Sequence, residues 1–207
     1  MGFIESSQNK EWWRVAQGKL NKKCEPTEPG ATPYVPEKGK FAGQTCYRTF
    51  RNGYCGIITG IEFLVPKNPV YPMELGIEFD NRIMICVRAS GTYLTRFAGV
   101  CEKIDIGNDV CCIPWSMQSE KDPTKTFAGW TWKQNGTKIE PEPEMCTNTP
   151  ECILPEPQQI RVNGKMVMDW TERDQFLIDH IATWARGKKI FIEQRSDSTH
   201  EEEGGML

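Results

Sequence analysis

Hydrophobic and polar residues alternate in short runs along the middle of the chain, and turn residues separate the runs. Such alternation is typical of β-strands, because successive side chains of a strand point to opposite faces. The strands predicted in this way are Thr45 to Phe50, Cys55 to Leu64, Glu74 to Phe79, Ile83 to Arg88, Val110 to Pro114 and Phe127 to Lys133. The pairs Asp80-Asn81 and Asn135-Gly136 favour hairpin turns. We therefore expect a mainly β protein.

One segment of this region has the periodicity of a helix. Tyr93, Phe97 and Val100 recur at helical spacing, which predicts a helix from Thr92 to Glu102. Five or six strands with one inserted helix is the order of elements in an OB fold. Residues 44–138 are therefore expected to form an OB-fold-like barrel, with the helix covering one end.

The segment before the barrel, residues 1–43, is expected to be an extended proline-rich arm. Four prolines lie close together in it: Pro26, Pro29, Pro33 and Pro36. Proline lacks the backbone N–H that helices and central strands use, so both are excluded over that stretch. Two short strands are predicted nearer the N-terminus, at Trp12 to Val15 and at Gly18 to Leu20.

The segments after the barrel differ in composition. Residues 139–158 are rich in Pro and Glu and are expected to form an extended, poorly packing linker. Residues 159–194 are expected to form a hairpin that turns at Asn163-Gly164, followed by a C-terminal helix. One face of that helix is apolar and carries Phe176, Leu177, Ile181 and Trp184. We expect this face to dock on the barrel, with partner binding as the alternative.

The last segment, residues 195–207, is an acidic tail that is expected to be disordered. Glu201, Glu202 and Glu203 are followed by the apolar tip Met206 and Leu207. A segment of this composition cannot bury enough apolar surface to fold. It can recruit a partner, or it can compete with phosphates for a basic groove on its own chain. A frayed, solvated terminus is the alternative.

Charge is distributed unevenly over the 207 residues. The net charge is −3, with +4 over residues 1–100 and −7 over residues 139–207. A basic binding face is a local feature, so the net charge does not exclude nucleic-acid binding. No run approaches the roughly 18 apolar residues of a membrane span, and the N-terminus lacks the apolar region of a signal peptide. We expect a cytoplasmic protein without membrane contact.

Motifs for catalysis and metal binding are absent from the sequence. It has no glycine-rich phosphate loop, no nucleophile elbow, no Cys-x-x-Cys pair and only two histidines. We therefore predict neither an enzyme nor a metal site nor a cofactor. Without a secretion signal, disulfides among the nine cysteines are disfavoured. Small buried hydrophobes are expected at Cys86, Cys101, Cys111 and Cys112.

Aromatic and basic residues interleave along the predicted strands. On the first barrel strand, alternation places Tyr47 with Arg51 on one face and Arg48 with Phe50 on the other, so one aromatic-basic pair is expected to be buried and one exposed. Flat rings that stack bases, beside cations that contact phosphates, are typical of proteins that bind single-stranded nucleic acid. Core packing is the alternative for each ring. The candidate binding residues are Tyr47, Arg48, Arg51, Tyr54, Arg82, Arg88, Arg96, Trp115, Trp130, Trp132 and Lys133.

The order of motifs resembles the OB-fold single-stranded-DNA-binding proteins of tailed phages, including crAss-like phages. The N-terminal part of the resemblance rests on Met1-Gly2-Phe3, on Gly18-Lys19, and on Ala89 to Tyr93 leading to Ile104-Asp105. The C-terminal part rests on Pro114 to Met117, on Gly129 to Gly136, and on the hairpin and helix start from Gln159 to Phe176. The chain departs from the family in its cysteine count, its Pro-rich arm and its Met-Leu tip.

The resemblance implies a protein that coats and protects single-stranded DNA during phage replication or recombination, in the cytoplasm of the infected bacterium. Its acidic tail is then expected to recruit phage replication or recombination enzymes. A homo-oligomer, in which the arm pairs with the barrel of a second copy, is left open by the sequence. The alternative is a structural or adaptor protein of the virion, whose exposed aromatic residues form protein interfaces.

Overall fold

A computed structural model of the chain describes residues 10–37, 39, 41–68, 71–120 and 122–193. These residues form a large sheet, a small sheet, a separate hairpin and two helices. With 41% strand and 17% helix, the prediction of a mainly β protein is confirmed. The predicted acidic tail, residues 195–207, lies outside the described residues.

The large sheet has seven strands. They are β1 (Glu11–Ala16), β2 (Lys19–Lys23), β3 (Thr32–Tyr34), β4 (Cys46–Arg51), β6 (Ile58–Leu64), β7 (Glu74–Phe79) and β8 (Ile83–Arg88). Their order across the sheet is β3-β4-β2-β1-β8-β7-β6. Neighbouring strands are antiparallel except β1 and β8, which are parallel. Asp80 and Asn81 turn β7 into β8 with positive φ angles, which these two residue types tolerate.

The small sheet has four strands in the order β11-β10-β9-β5. They are β5 (Tyr54–Gly56), β9 (Val110–Gln118), β10 (Thr126–Gln134) and β11 (Thr137–Lys138). The inner face of this sheet carries Val110, Cys112, Trp130 and Trp132, all of them buried. This face joins the inner face of the large sheet in one hydrophobic core.

Two helices close the core. They are α1 (Gly91–Cys101) and α2 (Thr171–Gly187). Phe97 on α1 has its ring centroid 5.1 Å from that of Trp132 and 5.9 Å from that of Trp184 on α2, so α1 lies between the small sheet and α2. Leu177 and Ile181 on α2 are also buried, which confirms that the apolar face of this helix docks on the body of the protein.

The predicted strand from Cys55 to Leu64 is divided between the two sheets. Its first part, β5, pairs with β9, and its second part, β6, pairs with β7. The free edge of β8 is taken by β1 rather than by a strand of the small sheet. The sheets of the described residues therefore form no closed barrel, and the predicted OB fold is not confirmed.

The N-terminal strands do not belong to an extended arm. The predicted pair is present, but β1 and β2 lie in the middle of the large sheet, where Trp13 and Leu20 are each only 1% exposed. The prediction was wrong because the burial comes from pairing with β8, which is distant in sequence. Within the Pro-rich stretch, β3 contains Pro33 and lies at the edge of the sheet, where a missing N–H is tolerated.

The Pro- and Glu-rich segment also packs more closely than predicted. A short 3-10 turn, Pro143–Met145, places Met145 in the core, and Leu154 is buried as well. The backbone N–H of Glu142 donates to the carbonyl oxygen of Gly99 on α1 at 2.7 Å. The few apolar residues of the segment therefore hold it against α1. The hairpin that follows it consists of β12 (Gln158–Val162) and β13 (Lys165–Asp169).

One disulfide joins the two strands at the edge of the small sheet. Cys55 on β5 lies directly opposite Cys111 on β9, and their sulfur atoms are bonded. The prediction that disulfides are disfavoured was therefore wrong here, because antiparallel pairing brings together two cysteines far apart in sequence. Cys86, Cys101 and Cys112 are free and buried, as predicted.

Candidate nucleic-acid interface

The outer face of the large sheet carries the clearest group of aromatic and basic side chains. The sheet register places Arg48 on β4 opposite Lys23 on β2 and Thr32 on β3. Alternation along β4 puts Phe50 on the same side as Arg48, and Tyr34 lies opposite Cys46 in that register. The core-facing side of the sheet carries Trp13 and Leu20 instead.

Arg48 lies between two rings of this face. Its guanidinium carbon is 4.6 Å from the ring centroid of Tyr34 and 5.0 Å from that of Phe50. Its Nε is buried and has no hydrogen-bond acceptor, and no carboxylate pairs with the side chain within the described residues. The charge is therefore held in place by cation–π contacts, and no acidic neighbour in the described part of the chain neutralises it.

Lys23, on the neighbouring strand β2, also lies over an aromatic ring. Its Nζ lies 4.8 Å from the ring centroid of Phe41, in the loop before β4. We call the surface made by Lys23, Tyr34, Phe41, Arg48 and Phe50 the β4 face. Burial raises the pKa of the Tyr34 phenol, Cys46 and Cys24 raise it further, and Arg48 opposes them. The phenol therefore remains neutral at physiological pH.

The cation on the opposite side of β4, Arg51, is exposed and lies against a ring of the core. The Arg51 guanidinium lies 4.5 Å from the Trp13 ring centroid, and Lys22 lies 5.5 Å from it. Lys22 also pairs with Glu11 at 3.6 Å. Burial raises the pKa of Glu11, but the Trp13 hydrogen bond and the charges of Lys22 and Arg51 together lower it below its usual value. Tyr47 is half-buried on this side.

Tyr54 and Arg82 lie near the turn between β7 and β8. The Tyr54 hydroxyl donates to Asp80 at 2.8 Å, and its ring packs edge to face on Phe79 at 5.3 Å. Arg82 is exposed beside this turn, close enough to lower the pKa of the Tyr54 phenol against the larger effect of burial. The structure places both residues away from the β4 face.

Arg88 lies at the other end of β8 and is exposed on the outer face of the large sheet. It is opposite Glu74, which accepts two hydrogen bonds from Arg14, at 3.1 and 3.2 Å. Arg88 and Arg14 therefore lie on the same outer side of the sheet as the β4 face. Strands β1 and β2 separate Arg88 from β4, and β2 separates Arg14 from it.

Trp130 and Trp132 are not available to a ligand in this structure. They are 2% and 1% exposed, and their rings contact each other and Phe97 in the core. The Trp130 indole N–H donates to the carbonyl oxygen of Tyr93 at 2.9 Å. The prediction that these rings stack bases is contradicted, because the face they share is the one that packs on α1. Lys133 lies on the opposite face of β10, across from Cys111.

Arg96 on α1 and Trp115 on β9 form a second aromatic and basic group, at the surface of the small sheet. The Arg96 guanidinium lies 5.1 Å from the Trp115 ring centroid. Beyond Trp115, Met117 and Phe127 are a directly opposed cross-strand pair, and they are 59% and 55% exposed. We call Arg96, Trp115, Met117 and Phe127 the small-sheet patch. It is more apolar than the β4 face.

The structure therefore brings together only part of the predicted set. Arg48 lies at the centre of the β4 face, whereas its other members, Lys23, Tyr34, Phe41 and Phe50, were not among the predicted binding residues. Tyr34 and Phe41 were missed because they fall in the Pro-rich stretch. Two features of the sequence point to this surface. Arg48 and Phe50 alternate on one side of β4, and β2 ends in the basic pair Lys22-Lys23.

Comparisons with known proteins add no assignment. No protein-family model, curated protein or solved structure matches the chain. Among the described residues, neither helix is long and apolar enough to cross a bilayer. The described part of the chain also contains no group of three or more His, Cys, Asp or Glu side chains that could hold a metal ion.

Proposed function

We propose that this protein binds single-stranded DNA along the outer face of the large sheet, with the β4 face as the main contact. The observation that supports this most directly is Arg48, a cation between two rings with no acidic partner among the described residues. Rings of this kind stack unpaired bases, and a cation beside them contacts the phosphate. Neither contact depends on base identity, so binding is expected to tolerate any sequence.

The distribution of acidic residues on the same face limits where the DNA can lie. Glu62, Glu74 and Glu78 cluster on β6 and β7, and Glu78 pairs with Lys10 at 2.8 Å. Because Arg14 also pairs with Glu74, the charges of this half largely cancel and it attracts phosphates only weakly, whereas Lys23 and Arg48 attract them on the other half. The bound DNA strand is therefore expected to lie across β1, β2, β4 and β3.

The topology supports an open variant of the OB fold as part of the proposal. One bent segment, β5 and β6, pairs with both sheets, and α1 separates a three-stranded meander from a hairpin. OB folds are partly open barrels that bind oligonucleotides on the face of their second and third strands. If the segment of β5 and β6 is counted as the first strand, the second and third strands are β7 and β8. Their outer face is continuous with the β4 face through β1 and β2.

In the cell, the proposed role is to coat and protect unpaired strands during phage DNA replication or recombination, in the cytoplasm of the infected bacterium. The acidic tail, with Glu201, Glu202 and Glu203 before the tip of Met206 and Leu207, is proposed to recruit the enzymes of those processes. The same tail can occupy the basic half of the outer face when DNA is absent.

The test is a titration of fluorescently labelled oligo-dT at low and high salt. We expect Arg48→Gln to weaken binding about tenfold, and to lower the salt dependence by about one phosphate contact. Arg186→Gln is the matched control, because Arg186 is also stacked on a ring, that of Phe191 at 4.3 Å, but lies at the end of α2. Its affinity should equal that of the parent protein.

Equal loss of affinity in both variants, or no binding at low salt even with the tail removed, would overturn the proposal.

The second candidate, a virion structural or adaptor protein, is favoured by the exposed Met117 and Phe127 of the small-sheet patch. Exposed apolar patches of this kind mark protein interfaces. A protein of this second class would show no salt-dependent affinity for oligo-dT.

A further inference from the structure

The hairpin formed by β12 and β13 is the least buried part of the described chain. All of its strand residues are exposed except Asp169, which is half-buried, and neither strand pairs with any other strand that the structure describes. A single two-stranded hairpin is marginally stable in water. Its two outer edges also carry unpaired backbone donors and acceptors, which offer a template for a further strand.

The hairpin is also unusually apolar for an exposed element. Half of the large hydrophobic side chains exposed in the described residues lie between residues 160 and 170. They are Ile160, Val162, Met166, Val167, Met168 and Trp170. Apolar residues clustered in this way mark an interaction surface. The hairpin therefore has the composition of an interface and not of a solvated turn.

The turn determines which backbone groups face outward. Asn163 and Gly164 have φ angles of 49° and 79°, as in a two-residue type I′ turn. Such a turn makes Val162 and Lys165 a hydrogen-bonded pair, and the pairs then alternate along the ladder. The N–H and C=O groups of Met166 and Met168 therefore point away from β12, to the free edge of β13.

The sequence of β13 is complementary to itself in the antiparallel direction. In Lys165-Met166-Val167-Met168-Asp169, pairing about Val167 puts each lysine opposite the aspartate of the other copy. The same register puts Met166 opposite Met168, whose outward backbone groups then form hydrogen-bonded pairs. We propose that β13 pairs with β13 of a second copy about a twofold axis at Val167, which joins two hairpins into one four-stranded sheet.

The charges favour this edge over the other one. Asp169 accepts hydrogen bonds through Oδ1 from the Thr171 N–H at 3.0 Å and from the Thr171 hydroxyl at 2.6 Å, so its carboxylate is fixed at the end of β13. Opposite charges directly across an antiparallel pair are stabilising. Pairing of β12 with itself about Ile160 would place Gln159 opposite Arg161, with no charge complementarity.

The proposed dimer goes beyond DNA binding and does not depend on it. A twofold axis makes the interface isologous, so both copies contribute the same strand. A four-stranded sheet with apolar side chains on a shared face is more stable than either hairpin alone. Because pairing of two short strands buries little surface, the expected dissociation constant is micromolar.

The first test is sedimentation velocity on the full chain over about 1 to 200 µM, a range that brackets a micromolar dissociation constant. Met168→Pro removes an outward N–H from β13 and should weaken dimerisation at least about tenfold, because the twofold axis doubles the loss. Gln159→Pro is the matched control, since Gln159 is the cross-strand partner of Met168 on the other edge. That variant should dimerise like the parent.

A cross-linking measurement does not depend on proline being tolerated. Val167 faces its own copy across the axis with Cα atoms about 4.5 Å apart, within disulfide range. Val167→Cys should therefore give a covalent dimer on mild oxidation, above the background of the parent protein. Ile160→Cys lies on the same face but about 14 Å from its copy, and it should not cross-link. A parent that stays monomeric at 200 µM, a dimer that survives Met168→Pro, or equal cross-linking by both cysteines would overturn the proposal.

Discussion

Trp115 on β9 lies directly opposite Gly129 on β10, and the missing side chain at Gly129 leaves room for Arg96 to reach the Trp115 ring. A Cβ at position 129 would come within 2.7 Å of Arg96 Nε and 3.0 Å of Trp115 Cζ2. The contact between α1 and the outer side of the small sheet therefore depends on a residue that contributes no side chain.

Gly129→Ala should lower the free energy of unfolding by about 1 to 2 kcal/mol, because Arg96 must move off the ring and Trp115 must shift. Urea denaturation followed by tryptophan fluorescence measures this. Gly187→Ala, at the end of α2, is the control, since nothing lies within 4 Å of the added Cβ. Equal urea midpoints for the two variants would contradict the role given to Gly129.

The turn between β1 and β2 contacts the small sheet through another glycine. A Cβ at Gly18 would lie 2.3 Å from the backbone nitrogen of Ser116, and its φ of +71° is unfavourable for alanine. Gly18→Ala should lower the free energy of unfolding by more than the roughly 1 kcal/mol that the left-handed conformation alone costs an alanine. Gly136→Ala isolates that conformational cost, because φ there is +77° and nothing lies within 4 Å. Thermal unfolding of both variants should show the larger loss at Gly18.

Alkaline pH should destabilise the protein through its buried thiols. Burial raises the pKa of Cys101 and of Cys112 to about 12, from the usual value of 9.0. Their contribution to stability is complete below pH 9.0 and is lost as pH rises toward 12, because only the unfolded chain ionises in that window. The loss is about 1 kcal/mol per thiol for each pH unit.

Urea denaturation at pH 8, 9 and 10 measures this effect. Cys112→Ala should be less stable than the parent at pH 8, because it leaves a small cavity, but its stability should fall less steeply with pH. The disulfide between Cys55 and Cys111 does not titrate, so the remaining slope comes from the other groups. Parallel pH profiles for parent and variant would show that Cys112 has no such role.

Removal of residues 195–207 should leave oligo-dT affinity unchanged or raise it about threefold at low salt, because a competitor for the basic half of the outer face is lost. The gain should disappear at high salt. A chain with Glu201, Glu202 and Glu203 all changed to Gln keeps the tail length and should behave like the deletion. A large loss of affinity on deletion would instead make the tail part of the binding surface.

The pattern of hydrophobic and turn residues predicted those helices, strands and turns whose conformation depends on local sequence. The bounds of β7 and β8 were predicted without error, and α1 is displaced by one residue. The hairpin turn at Asn163-Gly164 was also predicted correctly. In each case the period of the side chains or a turn residue specifies the local conformation without help from distant parts of the chain.

What pattern did not predict depends on pairing between distant segments. Because β1 pairs in parallel with β8, the segment predicted to be an arm lies in the middle of a sheet, and the predicted barrel does not close. The disulfide depends on the register of β5 and β9, and the burial of Trp130 depends on which face α1 covers. Alternation shows that a strand has two faces, but not which of them is solvated.

The parallel pairing of β1 with β8 also has a consequence for the order in which the chain can fold during synthesis. Glu11 pairs with Ile83, so the partner of the first strand leaves the ribosome only after the whole β6-β7-β8 meander has been made. Contacts between segments so far apart in sequence form slowly. Until then Trp13 has no core to enter, so a nascent chain that stops before residue 83 should expose its N-terminal tryptophans to chaperones and proteases.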